Sequence, residues 1–219
     1  PHEFYYPHDV KMLLDGRVVV ADTYNNRLQV LDAATGAFLQ QLGWVVKYQY
    51  GLLFSPFLPS LLYFSVGNLA RPHGLAVDPS TGLLYIAERF AQHIAVMDPT
   101  SGEVVRTIGK GKGDGPGQLI YPNGIALDAH GNLLVADSRN KRVVVFNDAD
   151  GKYVAHFHTR PASPDCVVVD CRGNVVVSGV TQERDGFICV WWRPGIVYFP
   201  VSTAMNMFIV VYLASSSFN

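Results

Sequence analysis

Residues 71–89 decide the fold, and they read Arg-Pro-His-Gly-Leu-Ala-Val-Asp-Pro-Ser-Thr-Gly-Leu-Leu-Tyr-Ile-Ala-Glu-Arg. Two short apolar runs flank Asp-Pro-Ser-Thr-Gly, a combination of residues that favours tight turns. A turn of similar composition, Asp-Pro-Thr-Ser-Gly, follows at residues 98–102. Apolar runs of this length, bounded by turns, predict β-strands rather than helices.

Copies of this unit occur before and after it. The first copy spans residues 7–43, the third spans 122–157, and a weaker fourth copy begins at Pro164. In the first copy the predicted strands cover about residues 9–13, 17–21, 27–31 and 37–42. A four-stranded sheet of this size cannot bury both of its faces alone, so such units pack against one another as propeller blades do. We therefore predict an all-β fold, a β-propeller of four-stranded antiparallel blades.

Four blades can be traced in the 219-residue chain. They comprise residues 4–43, 71–109, 121–158 and 161–193, within a propeller domain of residues 1–193. An apolar insertion, 44–67, separates the first two blades, and an apolar tail, 194–219, lies outside the repeat pattern. Since four blades are at the low end of what closes into a ring, we expect a part of a larger, six-bladed propeller.

Charge and hydropathy restrict the expected partners. The chain has 17 basic and 18 acidic side chains, a net charge of −1, which argues against nucleic acid as the partner. Segments 44–67 and 195–214 are long and apolar enough to resemble membrane spans. Pro56 and Pro59 interrupt the first segment and polar residues interrupt the second, which argues against spans, although their length leaves a membrane role open.

Each copy begins with a Pro and a polar residue at the point where the chain crosses inward to the next blade. These polar residues, here named the entry residues, are His8, His73, Asn123 and Asp165. Because they occupy equivalent repeat positions, we expect them to surround the mouth of the central channel, with Tyr24, Arg89 and Arg139 beside them. Converging polar side chains can chelate a metal or bind a polar ligand. They can equally hold turn backbone groups and ordered water.

Acidic residues mark a second equivalent position, the end of the second strand, in the first three copies, and the fourth copy has Gly179 there. They are Asp22, Glu88 and Asp137, and an Arg follows the two aspartates five residues later. We expect a structural role for this set, because it recurs with the fold rather than marking one site. No Gly-x-Ser-x-Gly, His-Glu-x-x-His or Cys-x-x-Cys motif is present, so nucleophilic and conventional zinc-protease mechanisms have no local support.

The repeats resemble a known family. The pattern Pro-x-Gly-Ile/Leu-Ala-Val/Leu-Asp, followed by Gly-x-Leu-x-Val-Ala-Asp-x-x-Asn-x-Arg-Val-x-Val-Phe, is similar to the NHL repeat. This resemblance implies a six-bladed propeller that acts as a rigid scaffold for protein, RNA or small ligands. We therefore expect a non-catalytic chain without a cofactor that binds a protein or a small molecule at the channel face.

An enzyme is the alternative. The repeats also resemble the peptidyl-hydroxyglycine amidating lyase, a zinc-containing propeller in which Pro-His at blade entries supplies zinc ligands. That resemblance implies zinc at His73 and His8, with Tyr24 as general base and Arg89 beside it. The later entry residues are Asn and Asp, however, so the sequence offers no third imidazole at these positions.

Overall fold

The computed structural model describes residues 3–43, 69–159, 162–180, 186–192 and 195–201 of the chain. These residues form four antiparallel sheets of four strands each, and the strands of every sheet follow one another in chain order. The predicted all-β propeller of four-stranded antiparallel blades is confirmed. We refer to the four sheets as blades 1 to 4.

The strands have the following bounds. Blade 1 comprises β1 (Pro7–Met12), β2 (Arg17–Asp22), β3 (Arg27–Asp32) and β4 (Phe38–Leu42). Blade 2 comprises β5 (Pro72–Val77), β6 (Leu84–Glu88), β7 (His93–Met97) and β8 (Val104–Ile108). Blade 3 comprises β9 (Pro122–Leu127), β10 (Asn132–Asp137), β11 (Arg142–Asn147) and β12 (Tyr153–His158). Blade 4 comprises β13 (Ser163–Val169), β14 (Val175–Val180), β15 (Gly186–Trp192) and β16 (Gly195–Val201). Short 3-10 turns, Thr23–Asn25 and Ser138–Asn140, join the second and third strands of blades 1 and 3.

The first strand of each blade lies innermost. In the described part of the chain β1 packs against β5, β5 against β9 and β9 against β13. These four strands line a central channel of about 820 Å³. The polypeptide enters each innermost strand at the same end of the channel, and we call that end of the molecule the crossing face.

The predicted turns form for the predicted reason. In the turn after β5, the carboxylate of Asp78 accepts hydrogen bonds from the backbone N–H of Ser80 (2.8 Å) and the hydroxyl of Thr81 (2.5 Å). Asp98 repeats this arrangement after β7 and accepts a hydrogen bond from the backbone N–H of Thr100 at 2.8 Å. These Asp side chains replace strand hydrogen bonds at the point where the chain reverses.

The blades bury both of their faces. Leu84 and Ile86 of β6 pack in a core shared with blade 1, whereas Tyr85 and Ala87 pack in a core shared with blade 3. Successive residues of a strand point to opposite faces, so a blade between two neighbours needs apolar residues at every position. This explains why residues 83–87 read as a continuous apolar run rather than an alternating one.

Glycines allow the innermost strands to approach closely. A Cβ atom added at Gly74 would lie 2.3 Å from the backbone oxygen of Asn123, and one at Gly124 would lie 2.7 Å from the Cα atom of Cys166. Blade 1 makes the corresponding contact through a side chain, since Asp9 Oδ2 accepts a hydrogen bond from the Leu75 N–H at 2.8 Å.

The sequence predicted two segments outside the blades, the insertion 44–67 and the tail 194–219. The insertion 44–67 lies outside the described residues. Of the tail 194–219, which was expected to lie outside the repeats, Gly195–Val201 instead pairs with Gly186–Trp192 as the fourth strand of blade 4. Its β-branched and aromatic run suits a strand, and the hairpin completes the blade. No helix among the described residues is long and apolar enough to cross a membrane.

Candidate ligand-binding face

The entry residues lie at the crossing face as the second residues of β1, β5 and β9 and near the start of β13. The imidazoles of His8 and His73 are in contact, with ring centroids 4.0 Å apart. The Asn123 side chain donates a hydrogen bond from Nδ2 to Asp165 Oδ1 at 2.7 Å. The structure thus brings the four predicted residues together as two contacting pairs on successive blades.

The two histidines have different environments. His8 is exposed, and its Nδ1 lies 2.9 Å from the backbone oxygen of Tyr6. His73 is buried, and burial together with the positive potential from His8 and Arg89 lowers its pKa to about 3. His73 is therefore neutral at physiological pH, and it can donate one hydrogen bond and accept another.

Asn123 carries an unsatisfied acceptor. Its side chain is buried, and Oδ1 has no hydrogen-bond partner in the described part of the chain. Burying a polar atom without a partner costs about 1–3 kcal/mol, so such atoms in folded proteins are commonly satisfied by water or a ligand. The mouth of the channel is therefore suited to a group that donates a hydrogen bond.

The three acids at the second-strand position hold the chain as it crosses inward. Asp22, Glu88 and Asp137 are buried, and each accepts a hydrogen bond at 2.7–2.8 Å from a backbone N–H two residues before a repeat Pro. Arg27 Nε contacts Asp22 at 2.6 Å, and Arg142 Nε contacts Asp137 at 2.7 Å. These contacts agree with the structural role that the sequence predicted for the three acids.

Burial and these hydrogen bonds shift the pKa values of the acids in opposite directions. Burial alone would raise the pKa of Asp22, but hydrogen bonds from Tyr5, Asn25, Arg27 and Gln29 outweigh it and lower the pKa. At Asp137 burial outweighs the corresponding hydrogen bonds and raises the pKa. In blade 2 the Arg is replaced by His93, whose Nε2 lies 2.6 Å from Glu88 Oε2. The acids are thus saturated with hydrogen-bond donors, which leaves them little capacity for a ligand.

In blades 1 to 3 the residue directly before the repeat Pro adopts a left-handed backbone conformation. The φ angles are 50° at Tyr6, 56° at Arg71 and 55° at Tyr121. This region is unfavourable for residues with a Cβ, so the surrounding structure must hold it. Part of that support is visible, because the Arg71 N–H donates to Asn26 Oδ1 (3.1 Å) and the Tyr121 N–H donates to the Gln92 side chain (2.7 Å).

These bends help to bring aromatic and arginine side chains together across three blades. Arg71 lies 3.8 Å from the ring centroid of Tyr24 and 5.0 Å from that of Phe90. Phe90 contacts Tyr121, whose ring centroid is 5.3 Å from Arg89 and 5.5 Å from Arg139. Together with Tyr6, which contacts Tyr24, these side chains form a continuous surface. We call it the aromatic–arginine arc, and it consists of Tyr6, Tyr24, Arg71, Arg89, Phe90, Tyr121 and Arg139.

The arginines of the arc make no ion pairs with the described residues. The arginine ion pairs found there involve Arg17, Arg27, Arg106 and Arg142. The rings are open to solvent as well, with 41% of Tyr24 and 50% of Phe90 exposed. Arginine and aromatic side chains dominate the binding energy of many protein interfaces.

The sequence predicted part of this surface. Tyr24, Arg89 and Arg139 were expected beside the entry residues and lie in the arc, but Tyr6, Arg71, Phe90 and Tyr121 were missed. A signal was available, because Tyr6, Arg71 and Tyr121 are the large residues that directly precede the repeat Pro. Their conformation, however, is apparent only in three dimensions.

The described residues do not by themselves form a metal site. They contain no group of three or more His, Cys, Asp or Glu side chains arranged to hold a metal ion. His8 and His73 supply two imidazoles, whereas a protein zinc site has at least three protein ligands. The two imidazoles seen at the channel mouth are therefore too few, among the described residues, to complete the zinc site that the lyase resemblance implies.

Comparison with known proteins identifies the repeats. Residues 4–31 and 119–146 match the NHL repeat. The chain carries NHL repeats. It is 26% identical over 155 residues to the Protein brain tumor of Drosophila melanogaster, and this alignment covers 71% of the chain and 12% of that protein.

Two other proteins show how far the likeness extends. The chain is 31% identical over 91 residues to the peptidyl-glycine alpha-amidating monooxygenase of Mus musculus, covering 40% of the chain and 9% of that protein. The WD40 β-propeller domain of Doa1 superimposes with a TM-score of 0.56 at 14% identity, covering 83% of the chain and 50% of that structure. The chain thus has a propeller fold and spans only a small part of each of the two sequence relatives.

Proposed function

We propose that this chain is a binding propeller whose crossing face takes an extended acidic segment of a partner protein. The aromatic–arginine arc carries the proposal, because Arg71, Arg89 and Arg139 have no carboxylate partner among the described residues and lie among exposed rings. Carboxylates pair with guanidinium groups through two parallel hydrogen bonds, which suits a segment rich in Glu or Asp.

The shape of the face favours an extended segment. The arc runs over blades 1 to 3, so a strand-like peptide could meet Tyr24, Phe90 and Tyr121 in succession. Rigid aromatic side chains supply contact area at a low cost in conformational entropy. Beside the arc, the unsatisfied Oδ1 of Asn123 and the neutral imidazole of His73 can orient a polar side chain that enters the channel.

Fluorescence anisotropy with labelled peptides tests this proposal. The probe is a twelve-residue peptide of alternating Glu and Tyr, and the matched peptide carries Lys in place of Glu. The acidic peptide should bind the full chain, and the double variant Arg71→Ala/Arg89→Ala should weaken binding at least about tenfold, as expected for two charge-assisted contacts.

The control variant is Lys152→Ala, which removes an exposed cation from the turn between β11 and β12, at the opposite face. It should bind the acidic peptide as the wild type does. Equal weakening by the control and the double variant would mean that only net charge matters, and it would overturn the proposal. Tighter binding of a single-stranded RNA of the same length would overturn the choice of a protein as partner.

A zinc-dependent amidating lyase is the second candidate. The contact between His8 and His73 favours it, as does the similarity to peptidyl-glycine alpha-amidating monooxygenase. Metal analysis of the purified full chain separates the two functions. One tightly bound zinc per chain that is lost in His73→Ala, with turnover of a hydroxyglycine peptide, would support the lyase. The binding proposal expects neither result.

A further inference from the structure

We propose that a second site, at the outer rim of blade 3, binds a phosphate monoester such as a phosphorylated side chain. The site is a cavity of about 830 Å³ lined by basic and imidazole side chains. We call it the rim pocket, and its lining residues are Asp114, Arg139, Asn140, Lys141, Arg142, His156 and His158. This inference does not rest on the binding function proposed for the arc.

The fold brings the pocket together from three segments. The turn Ser138–Asn140 supplies Arg139, the residue between this turn and β11 is Lys141, and the outermost strand β12 supplies His156 and His158. The two histidines are two residues apart in a strand, so they lie on one face, and their ring centroids are 5.1 Å apart. The loop between blades 2 and 3 closes the third side at Asp114.

One wall of the pocket is fixed by hydrogen bonds. Arg142 donates to Asp137 Oδ2 (2.7 Å) and to the backbone oxygens of Asp114 (2.6 Å) and Gln118 (2.9 Å). Asn140 donates from Nδ2 to Asp137 Oδ2 and to the Gly113 oxygen, at 2.7 and 2.9 Å. These two side chains therefore hold the turn and the loop together, and Arg142 adds positive charge to this wall.

The remaining donors are available. The side chains of Arg139, Lys141 and His158 make no hydrogen bond or ion pair with the described residues, and the Arg139 guanidinium lies 5.5 Å from the ring centroid of Tyr121. His156 uses Nδ1, which lies 2.7 Å from the Tyr153 hydroxyl, and this contact holds its ring in place. Asp114 is the single carboxylate among the described lining residues, so this part of the cavity has an excess of positive charge.

A phosphate monoester matches this set of donors. It carries a charge between about −1.5 and −2 at neutral pH and three strong acceptor oxygens, more than a carboxylate offers. Arginine and lysine are the residues that bind phosphoryl groups most often. Burial is the main cause that lowers the pKa of His156, and the positive potential of the nearby Arg142 and His158 adds to it despite the opposite effect of Asp137.

Nuclear magnetic resonance of the full chain tests the site, with O-phosphoserine as the probe at constant ionic strength. Addition of O-phosphoserine should shift the imidazole signals of His156 and His158, whereas serine should not. The double variant Lys141→Asn/His158→Gln should weaken this binding at least about tenfold. Asn is chosen at position 141 because Lys141 has a φ of 53°, which Asn tolerates well.

The control is His130→Gln, an exposed histidine in the turn between β9 and β10 at the opposite face. It should leave the affinity for O-phosphoserine unchanged. A shift of the His130 signal in the wild type as large as those of His156 and His158 would show that O-phosphoserine acts on exposed histidines through a general charge effect and not through a specific site. That result, or undiminished binding by the double variant, would overturn the proposal. Neither variant changes a residue of the arc, so failure here leaves the peptide-binding test unaffected.

Discussion

Two sets of charged side chains lie at the crossing face, and they differ in what surrounds them. Asp22 and Asp137 are fully buried, and each accepts hydrogen bonds from a crossing segment, an Asn and an Arg. Arg71 and Arg89 lie on the surface against aromatic rings, without an ion-pair partner among the described residues. The buried set has a structural function in its own repeats, and the surface set is available to a ligand.

This difference shows how a repeat protein separates fold from function. A group that recurs in each copy and is saturated with internal hydrogen bonds holds the blades in register. A group at the same end of the molecule with unused donors can change without disturbing the fold. Substitutions in the buried set should therefore lower stability. Substitutions in the surface set should weaken ligand binding and leave stability nearly unchanged.

The largest effect is expected for Asp137→Ala. The change leaves Arg142, whose side chain is 4% exposed, as a buried charge without its carboxylate. Removing one partner of a buried ion pair costs about 3–5 kcal/mol. Urea denaturation followed by circular dichroism should show this loss, and Asp114→Ala, at an exposed loop carboxylate, should change stability by less than about 0.5 kcal/mol. A similar small change for Asp137→Ala would contradict the structural role of the acids.

Gly124→Ala should have the next largest effect. The added Cβ would lie 2.7 Å from the Cα atom of Cys166 and 2.8 Å from the backbone oxygen of Asp165, so β9 and β13 would have to separate. Overpacking costs about 1–3 kcal/mol, and contacts with backbone atoms place this case near 3 kcal/mol.

The control for this prediction is Gly131→Asn. Gly131 has a φ of 77° and open space around it, and Asn tolerates that conformation. It should lose less than about 1 kcal/mol in the same denaturation experiment. Equal losses at the two positions would show that the innermost strands are not closely packed at Gly124.

The same distinction explains which features of the structure could be predicted from the sequence. The alignment of copies located the strands, the acids and the entry residues, because equivalent positions in a repeat take equivalent places in the fold. It could not show that Arg71 lies between Tyr24 and Phe90, since that contact depends on a left-handed backbone and on the spacing of two blades. It also missed the last strand of blade 4, where an uncharged run obscured the repeat pattern.

A moderate effect that depends on pH is expected at His73. The unfolded chain protonates this residue near pH 6.5, and the folded chain does so only near pH 3. The free energy of unfolding should therefore fall as the pH is lowered from 7.5 to 5, by about 2 kcal/mol from this residue alone. In His73→Asn, which copies the residue of blade 3, the difference between the two pH values should be smaller by that amount.

The matched control is His8→Asn, at the exposed partner of the pair. Denaturation at pH 7.5 and 5 should give the wild-type difference for this variant, because burial is the main cause of the low pKa of His73. An unchanged difference in His73→Asn would mean that the imidazole is hydrated and able to take up a proton in the folded chain.

The smallest effect on stability is expected for Arg89→Gln, and it is the sharpest test of the comparison. The guanidinium contacts Tyr121 at the surface and has no carboxylate partner among the described residues, so its loss should change the free energy of unfolding by less than about 0.5 kcal/mol. The same substitution should measurably weaken binding of the acidic peptide, because a charge-assisted contact disappears. Denaturation and anisotropy on one sample separate the two effects. A large loss of stability would place Arg89 with the buried acids as part of the fold. Unchanged stability together with unchanged binding would remove it from the ligand surface while leaving Arg71 and Arg139 to be tested in turn.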